Sequence, residues 1–201
     1  MRRSVTPACT HAIALFLFVL PCSFVAGQPV AGERMPPSVM GNRFLTINTV
    51  VRVNQIEVTR DSNAGEDESA IHTLDNARLF REAIAAGWPE ARITWAFSWR
   101  ALFSEADNYV QIRAYAKQCH ERYGDDVTFI PGGYFANAYN DRAQVNRDLH
   151  DGLARVSAFM GKGFRPQSVV AGFLSAANLQ YLAEHEDIHV CQGNIWSQYA
   201  I

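Results

Sequence analysis

Residues 93–130 read ITWAFSWRALFSEADNYVQIRAYAKQCHERYGDDVTFI and join two apolar runs through a segment of helical periodicity. Ile93–Phe97 and Val127–Ile130 are short runs rich in β-branched and aromatic residues, which predicts strands. Between them, large side chains recur at helical spacing at Ile112, Tyr115, Cys119 and Tyr123. Gly124 is expected to end that helix. A strand, a helix and a second strand in this order predict a βαβ unit with parallel strands.

The same alternation extends in both directions along the chain. Further strands are predicted at Leu45–Val58, Val169–Phe173 and Ile188–Cys191. They are apolar rather than alternating, which is typical of strands covered on both faces. The sequence therefore predicts an α/β domain with five parallel strands, each followed by a helix. Five such units fit an open doubly wound sheet or most of a (β/α) barrel.

Three further helices are predicted from their caps and periodicity. Ser69 is expected to cap a helix over Ala70–Ala86, with four inward side chains at Leu74, Ala77, Phe80 and Ile84. Asp141, with Gln144 three residues later, resembles a capping box. The helix after it is predicted to bury Val145, Leu149, Leu153, Val156 and Met160. Ser175 is expected to open a last helix that buries Leu179 and Leu182.

The first 43 residues differ from the rest of the chain. Arg2 and Arg3 precede the apolar run at residues 13–20, and small residues at 25–27 resemble a cleavage site. This layout predicts a secretory signal peptide at residues 1–27, a Pro- and Gly-containing linker at 28–43 and a folded domain at 44–201. The apolar run is shorter than a comfortable membrane span, so we expect a secreted or periplasmic protein without a stable span after cleavage. An uncleaved membrane anchor is the alternative.

Charge and cysteine content exclude several functional classes. Eighteen basic and 20 acidic residues give a net charge of −2, so no nucleic-acid partner is expected. Signal-peptide cleavage would leave only Cys119 and Cys191. They lack the spacing of a redox or zinc motif, and they either form one disulfide or are buried separately.

Candidate catalytic residues lie at the end of the first predicted strand and in the segment after it. Glu57, Asp61 and His72 are the potential acid, base or metal-ligating groups near a strand end. Alternatively, Asp61 belongs to a solvated acidic loop, and Glu57 forms a structural salt bridge with Arg52 or Arg60. Glu57 interrupts an apolar strand, where a carboxylate needs a partner.

Candidate substrate-binding residues follow the later strands and are mainly aromatic and amide side chains. Aromatic faces suit the C–H faces of sugars, and amides suit their hydroxyls. The predicted binding residues are Trp99, Tyr134, Asn137, Asn194, Trp196 and Gln198. A carbohydrate is the expected substrate or ligand. The competing interpretation is that these aromatic side chains only pack the loops onto the strands.

Several longer motifs together resemble one family of uncharacterised exported bacterial proteins, a domain of unknown function in the glycoside hydrolase/deacetylase (β/α)-barrel superfamily. The resemblance covers about residues 44–201. Its motifs are HTLDN (72–76), TWAFSW (94–99), YGD (123–125), TFIPG (128–132), NRDLHD (146–151), AGFL (171–174) and HVCQGNIWSQ (189–198).

The resemblance implies a parallel barrel similar to that of polysaccharide deacetylases. It also implies that the family's chain continues past Ile201, which would leave the barrel incomplete here. Such deacetylases hold a divalent metal with an Asp and two His, but here Glu57 to Asp61 replaces the paired-Asp motif and His72 lacks a second His four or five residues on. A divalent metal is therefore an open expectation. The favoured function is hydrolysis of a glycosidic or acyl-sugar bond, and the alternative is a non-catalytic carbohydrate-binding or scaffold protein.

Overall fold

The computed structural model describes residues 45–57, 60, 63–131, 136, 140–161, 163–171 and 174–193. The described elements, in chain order, are β1 (Ile47–Val51), β2 (Asn54–Glu57), β3 (Asn63–Asp67), α1 (Leu74–Gly87), β4 (Ile93–Ser98), α2 (Trp99–Phe103), α3 (Asp107–Tyr123), β5 (Asp126–Ile130), α4 (Arg142–Met160), β6 (Val169–Val170), α5 (Ala176–His185) and β7 (Cys191–Gln192).

Parallel strands carry the fold, as the alternating pattern predicted. β1, β4 and β5 form a parallel sheet in that order, with Val51 opposite Phe97 and Phe97 opposite Phe129. β6 and β7 form a second parallel pair. The helices between these strands supply the crossovers that parallel pairing requires. The described residues thus have a mixed α/β fold with parallel strands.

Local capping chemistry explains where most helices begin and end. Asp141 accepts the backbone N–H of Gln144 at 2.7 Å, and Ser175 caps α5 in the same way. Gly124 ends α3 with φ of 73°, a left-handed conformation that glycine adopts without strain. These three helix boundaries were predicted from the sequence.

The main core lies between the sheet and the helices. Alternate residues of β4 (Ile93, Trp95 and Phe97) pack there with Ile112 of α3 and Leu149 of α4. The opposite face of the sheet carries smaller side chains. Val50, Ala96, Ile130 and Val170 form a separate cluster there. On that face the Asn48 side chain of β1 donates to the Gln192 side chain of β7. The first and last described strands are therefore in side-chain contact.

The predicted strand Leu45–Val58 is interrupted in the structure. β1 ends at Val51, and β2 instead pairs antiparallel with β3 as a hairpin, with Glu57 opposite Asn63. The break occurs where Arg52 turns its side chain to Glu68, with Nε to Oε2 of 2.5 Å, and where the Val53 N–H bonds to the Glu57 carboxylate. Apolar composition alone did not reveal this turn.

Two helix predictions were wrong in detail. α1 begins at Leu74 rather than Ala70, because Glu68 to Ile71 form a turn and Thr73 caps the helix. Phe80 is 39% exposed, whereas the neighbouring Arg81 is fully buried. Leu179, predicted to face inward, is 41% exposed.

Arg81 is buried because it forms an ion pair beneath the sheet. Its guanidinium donates to both oxygens of Asp125 at 2.7 and 2.9 Å. Asp125 also accepts the Ile93 N–H and the Trp95 indole N–H, each at 3.1 Å. Four donors on one carboxylate offset much of the desolvation that burial imposes. The pair fixes α1 to the start of β4 and β5.

Two sequence predictions concern the thiols and membrane insertion. Cys119 and Cys191 are free thiols rather than a disulfide, and Cys119 is buried. No helix in the described ranges is long and apolar enough to cross a bilayer. The predicted signal peptide and linker lie outside the described residues and stay predictions.

Candidate functional site

A cleft of about 520 Å³ lies at the carboxyl ends of β1 and β4, the edge where parallel α/β folds bind ligands. We call it the Trp99 cleft. It is lined by Val53, Arg60, Ser69, Trp99, Arg100, Phe103, Ser104, Ala106 and Tyr109. The lining combines hydrogen-bond donors from arginine, serine and tyrosine side chains with the aromatic rings of Trp99 and Phe103. Such a lining can hydrogen-bond a polar ligand and also contact its apolar faces.

Trp99 forms the centre of an aromatic stack in this cleft. Its ring stacks on Phe103 with 4.4 Å between centroids, and its position after β4 places its edge against Phe129. The guanidinium of Arg60 lies 3.8 Å from the Trp99 ring centroid. A ligand in the cleft would therefore meet the edge of this stack and the exposed part of Arg60.

Arg60 is held over Trp99 by two carboxylates of α4. Its Nε donates to Asp148 at 2.6 Å, and its Nη2 donates to Asp151 at 2.7 Å. Asp148 and Asp151 are three residues apart and so share one helix face. The Arg60 side chain is 32% exposed, and it bridges the chain after β2 to α4. This arrangement orients Arg60 while leaving part of it accessible to solvent.

Glu57 lies beneath the cleft and is 1% exposed. Oε1 accepts the Ser98 hydroxyl at 2.5 Å and the Val53 N–H at 3.0 Å. Oε2 accepts the Arg100 N–H at 3.0 Å. These three donors compensate a buried carboxylate without a salt bridge. Glu57 therefore fixes the first residues of α2, which carry Trp99 into the cleft.

The predicted salt-bridge alternative for Glu57 is wrong, because both proposed partners pair elsewhere. Arg52 donates to Glu68, and Arg60 donates to Asp148 and Asp151. The carboxylate is instead satisfied by one hydroxyl and two backbone N–H groups.

His72 lies in a different environment from Trp99. Its Nε2 faces the Arg52 backbone N–H at 3.4 Å and Glu68 Oε2 at 3.8 Å. The ring lines a cavity of about 220 Å³ between α1 and the sheet, shared with Thr49 and Trp95. Burial lowers the pKa of His72 because it disfavours the imidazolium, although the Glu68 carboxylate opposes this effect. A neutral imidazole is therefore favoured near neutral pH.

The structure brings together only part of the predicted site. Trp99 lines the cleft, Glu57 supports it from below, and His72 faces the separate cavity between α1 and the sheet. The other predicted site residues lie outside the described ranges: Asp61, Tyr134, Asn137, Asn194, Trp196 and Gln198. Their roles stay predictions, as do the catalytic roles of Glu57 and His72.

The described donors do not fit a divalent metal. Within the described ranges, no three His, Cys, Asp or Glu side chains converge as a metal site would require. Both oxygens of Glu57 accept protein hydrogen bonds, and His72 Nε2 faces a backbone N–H. These side chains therefore do not form a metal site in the described structure.

The cluster formed by Arg60, Asp148 and Asp151 was not predicted from the sequence. The signal was present, because Arg60 directly follows a predicted strand and the two aspartates are spaced for one helix face. What the sequence could not supply was the pairing across 88 and 91 residues of chain.

Comparison with known proteins supports a family assignment. No curated protein matches the chain. A crystal structure from Parabacteroides distasonis, provisionally named a glycoside hydrolase/deacetylase, matches with 45% sequence identity and a TM-score of 0.74. The match covers 77% of this chain and 36% of that one, so this chain spans about a third of its length. The sequence model of a domain of unknown function, DUF3863, matches residues 37–201, and the protein therefore belongs to the DUF3863 family.

Proposed function

We propose that this protein is an exported carbohydrate-active protein that binds a saccharide in the Trp99 cleft and hydrolyses a glycosidic or acyl-sugar bond. The observation that carries the proposal is the Phe103, Trp99 and Arg60 stack in a cleft at the carboxyl edge of a parallel sheet. The provisional name of the similar crystal structure supports the same substrate class. The (β/α)-barrel architecture implied by the family resemblance is part of this proposal.

Each part of the cleft has a distinct task in the proposed binding mode. The exposed parts of Trp99 and Phe103 contact apolar C–H groups of the sugar through dispersion and the hydrophobic effect. The accessible N–H groups of Arg60 and the hydroxyls of Ser69 and Ser104 bind sugar hydroxyls. Asp148 and Asp151 position Arg60 and do not themselves contact the sugar.

Hydrolysis requires an acid or base, and the predicted candidates are Glu57, Asp61 and His72. Glu57 lies directly below the cleft, but its carboxylate accepts all three of its described hydrogen bonds from Val53, Ser98 and Arg100. A shift of the Val53 and Arg100 backbone would be needed before Glu57 could reach a substrate. We propose Glu57 as the acid or base that becomes accessible in this way.

The second candidate function is carbohydrate binding without catalysis. The observation that favours it is the complete satisfaction of the Glu57 carboxylate by Ser98, Val53 and Arg100. In this case Glu57 only positions Trp99, and its replacement changes binding rather than turnover.

A substrate screen separates the two functions. The protein is tested against glycans and acetylated sugars, with and without chelator, alongside Glu57→Gln and Trp99→Ala. If the protein is a hydrolase, Glu57→Gln lowers kcat by at least about 100-fold, the size of effect typical of a general acid or base. Trp99→Ala weakens saccharide binding roughly tenfold, corresponding to about 1.4 kcal/mol.

Trp88→Ala is the matched control, because Trp88 is an exposed tryptophan at the end of α1, outside the cleft. Saccharide binding that survives Trp99→Ala unchanged would overturn the cleft assignment. Binding without turnover of any substrate would support the non-catalytic function.

A further inference from the structure

A second cleft lies at the amino ends of β4 and β5, on the opposite edge of the sheet from Trp99. Its volume is about 840 Å³. Four basic side chains from three segments line it: Arg92, Lys117 and His120 of α3, and Arg165. Thr94, Phe164 and Gln167 add polar and aromatic surface. We call this the basic cleft, and neither the family description nor the similar structure's name assigns it a role.

Three permanent cations of the basic cleft lack a carboxylate partner within the described ranges. Arg92, Lys117 and Arg165 form none of the ion pairs found there, whereas Arg52, Arg60 and Arg81 each pair with Asp or Glu. Lys117 is one of only two lysines in the chain. Three cations without a carboxylate partner among the described residues thus line one concavity, although the net charge of the chain is −2.

Two glycines lie beside two of these cations. A side chain at Gly124 would begin 3.2 Å from Arg92 Nε, and one at Gly161 would begin 3.4 Å from Lys117 Nζ. Both glycines have positive φ, at 73° and 109°, where other residues are strained. The backbone conformation therefore favours glycine at both positions.

The nearby acids weaken the positive charge only in part. Asp125 is neutralised by Arg81, while Asp126 and Glu121 also line the cleft. Asp126 turns towards the Val127 N–H and the Ser168 hydroxyl, at 2.9 and 3.4 Å. Burial raises the pKa of the Asp126 carboxyl, because desolvation disfavours its anion. Three cations then face two carboxylates, which leaves a local excess of one positive charge.

We propose that the basic cleft binds an anionic group, a carboxylate, sulfate or phosphate, carried by a small hydroxylated ligand. Arg92 and Arg165 offer forked N–H donors, the geometry that suits such oxyanions. Thr94 and Gln167 supply the neutral donors that a hydroxylated ligand needs. This inference does not depend on the proposed function of the Trp99 cleft.

The structural alternative is that Lys117 only stabilises the negative end of the α4 dipole, since its ammonium lies beside Gly161 at the end of α4. That role would account for Lys117 but not for Arg92 and Arg165, which belong to other segments. A test must therefore measure ligand binding and not stability alone.

The test is an NMR titration of the full chain with sodium sulfate, sodium phosphate, sodium glucuronate and glucose, each against sodium chloride at matched ionic strength. We expect saturable shifts of the Gly124 and Gln167 amides with at least one oxyanion and none with glucose. The anion that binds most tightly identifies the preferred group. Arg92→Gln and Arg165→Gln should each weaken binding at least about fivefold, as loss of a charged hydrogen-bond donor does.

Arg147→Gln is the matched control, because Arg147 is an exposed arginine on α4 whose described hydrogen bonds are both with Gln144. It should leave anion binding unchanged. The proposal is overturned if no anion saturates below about 50 mM, if chloride gives the same shifts, or if Arg147→Gln weakens binding as much as the cleft variants. The titration of the unaltered protein decides the question even if a variant does not fold.

Discussion

Asp125→Asn should strongly destabilise the protein, because it leaves the Arg81 guanidinium buried without its counter-ion. Both side chains are fully buried, and the Asp125 oxygens accept two donors each: Oδ2 from Arg81 and Trp95, and Oδ1 from Arg81 and Ile93. An amide keeps one of these oxygens and points N–H groups at the other two donors. Removing one partner of a buried pair typically destabilises by about 3–5 kcal/mol.

Urea and thermal unfolding, followed by far-UV circular dichroism, measure this loss. For a chain of this size, 3–5 kcal/mol corresponds to a fall in Tm of roughly 6–20 °C. Glu105→Gln is the control, since Glu105 is exposed and its nearest contact with Arg155 is 3.6 Å. It should not measurably change stability. A loss below about 1 kcal/mol for Asp125→Asn would refute the reasoning that this pair fixes α1 to the sheet.

Three further predictions follow from the titratable groups and the amino terminus. The pKa of His72 is lowered in the folded state, so the unfolded chain takes up its proton first as the pH falls below about 6.5. His72 should therefore contribute a decrease in the unfolding free energy from pH 8 to pH 5, and His72→Gln should remove that contribution; identical pH slopes for the two proteins would contradict it. Burial raises the pKa of the Cys119 thiol to about 11, so iodoacetamide should label it slowly at pH 8 until urea unfolds the chain. Mass spectrometry of the exported protein should find residues near 1–27 removed, and an intact Met1 would count against the signal peptide.

The strands and helix caps were predictable because their causes are local. β4 and β5 are apolar runs, and Asp141, Ser175 and Gly124 mark helix boundaries through their own side chain or backbone. Those signals lie within three or four residues of the boundary that they set.

The hairpin and the inward face of α1 could not be predicted in this way, because long-range partners determine them. β2 turns away from β1 where Arg52 meets Glu68, and Arg81 faces inward because Asp125 lies 44 residues further along. Hydrophobicity predicted that Phe80, rather than Arg81, would be buried. Arg81 is buried instead, because it pairs with the Asp125 carboxylate, which accepts four hydrogen bonds.

The candidate site shows the same division between local and long-range causes. Trp99 was predictable as a residue that follows a parallel strand and so lies at the ligand-binding edge. The role of Glu57 was not predictable, because its hydrogen bonds to Ser98 and Arg100 cross 41 and 43 residues. The sequence identified the residue as one that needs partners but could not name them.

The indole N–H resonances test saccharide binding in the Trp99 cleft most directly. The chain has four tryptophans, and Trp88 and Trp95 lie outside the cleft, exposed and buried respectively. Titration with the saccharide that binds best in the screen should shift the Trp99 indole N–H signal in a saturable manner and leave those of Trp88 and Trp95 in place. A saccharide that binds while the Trp99 signal stays unmoved would contradict the assignment of this cleft as the sugar site.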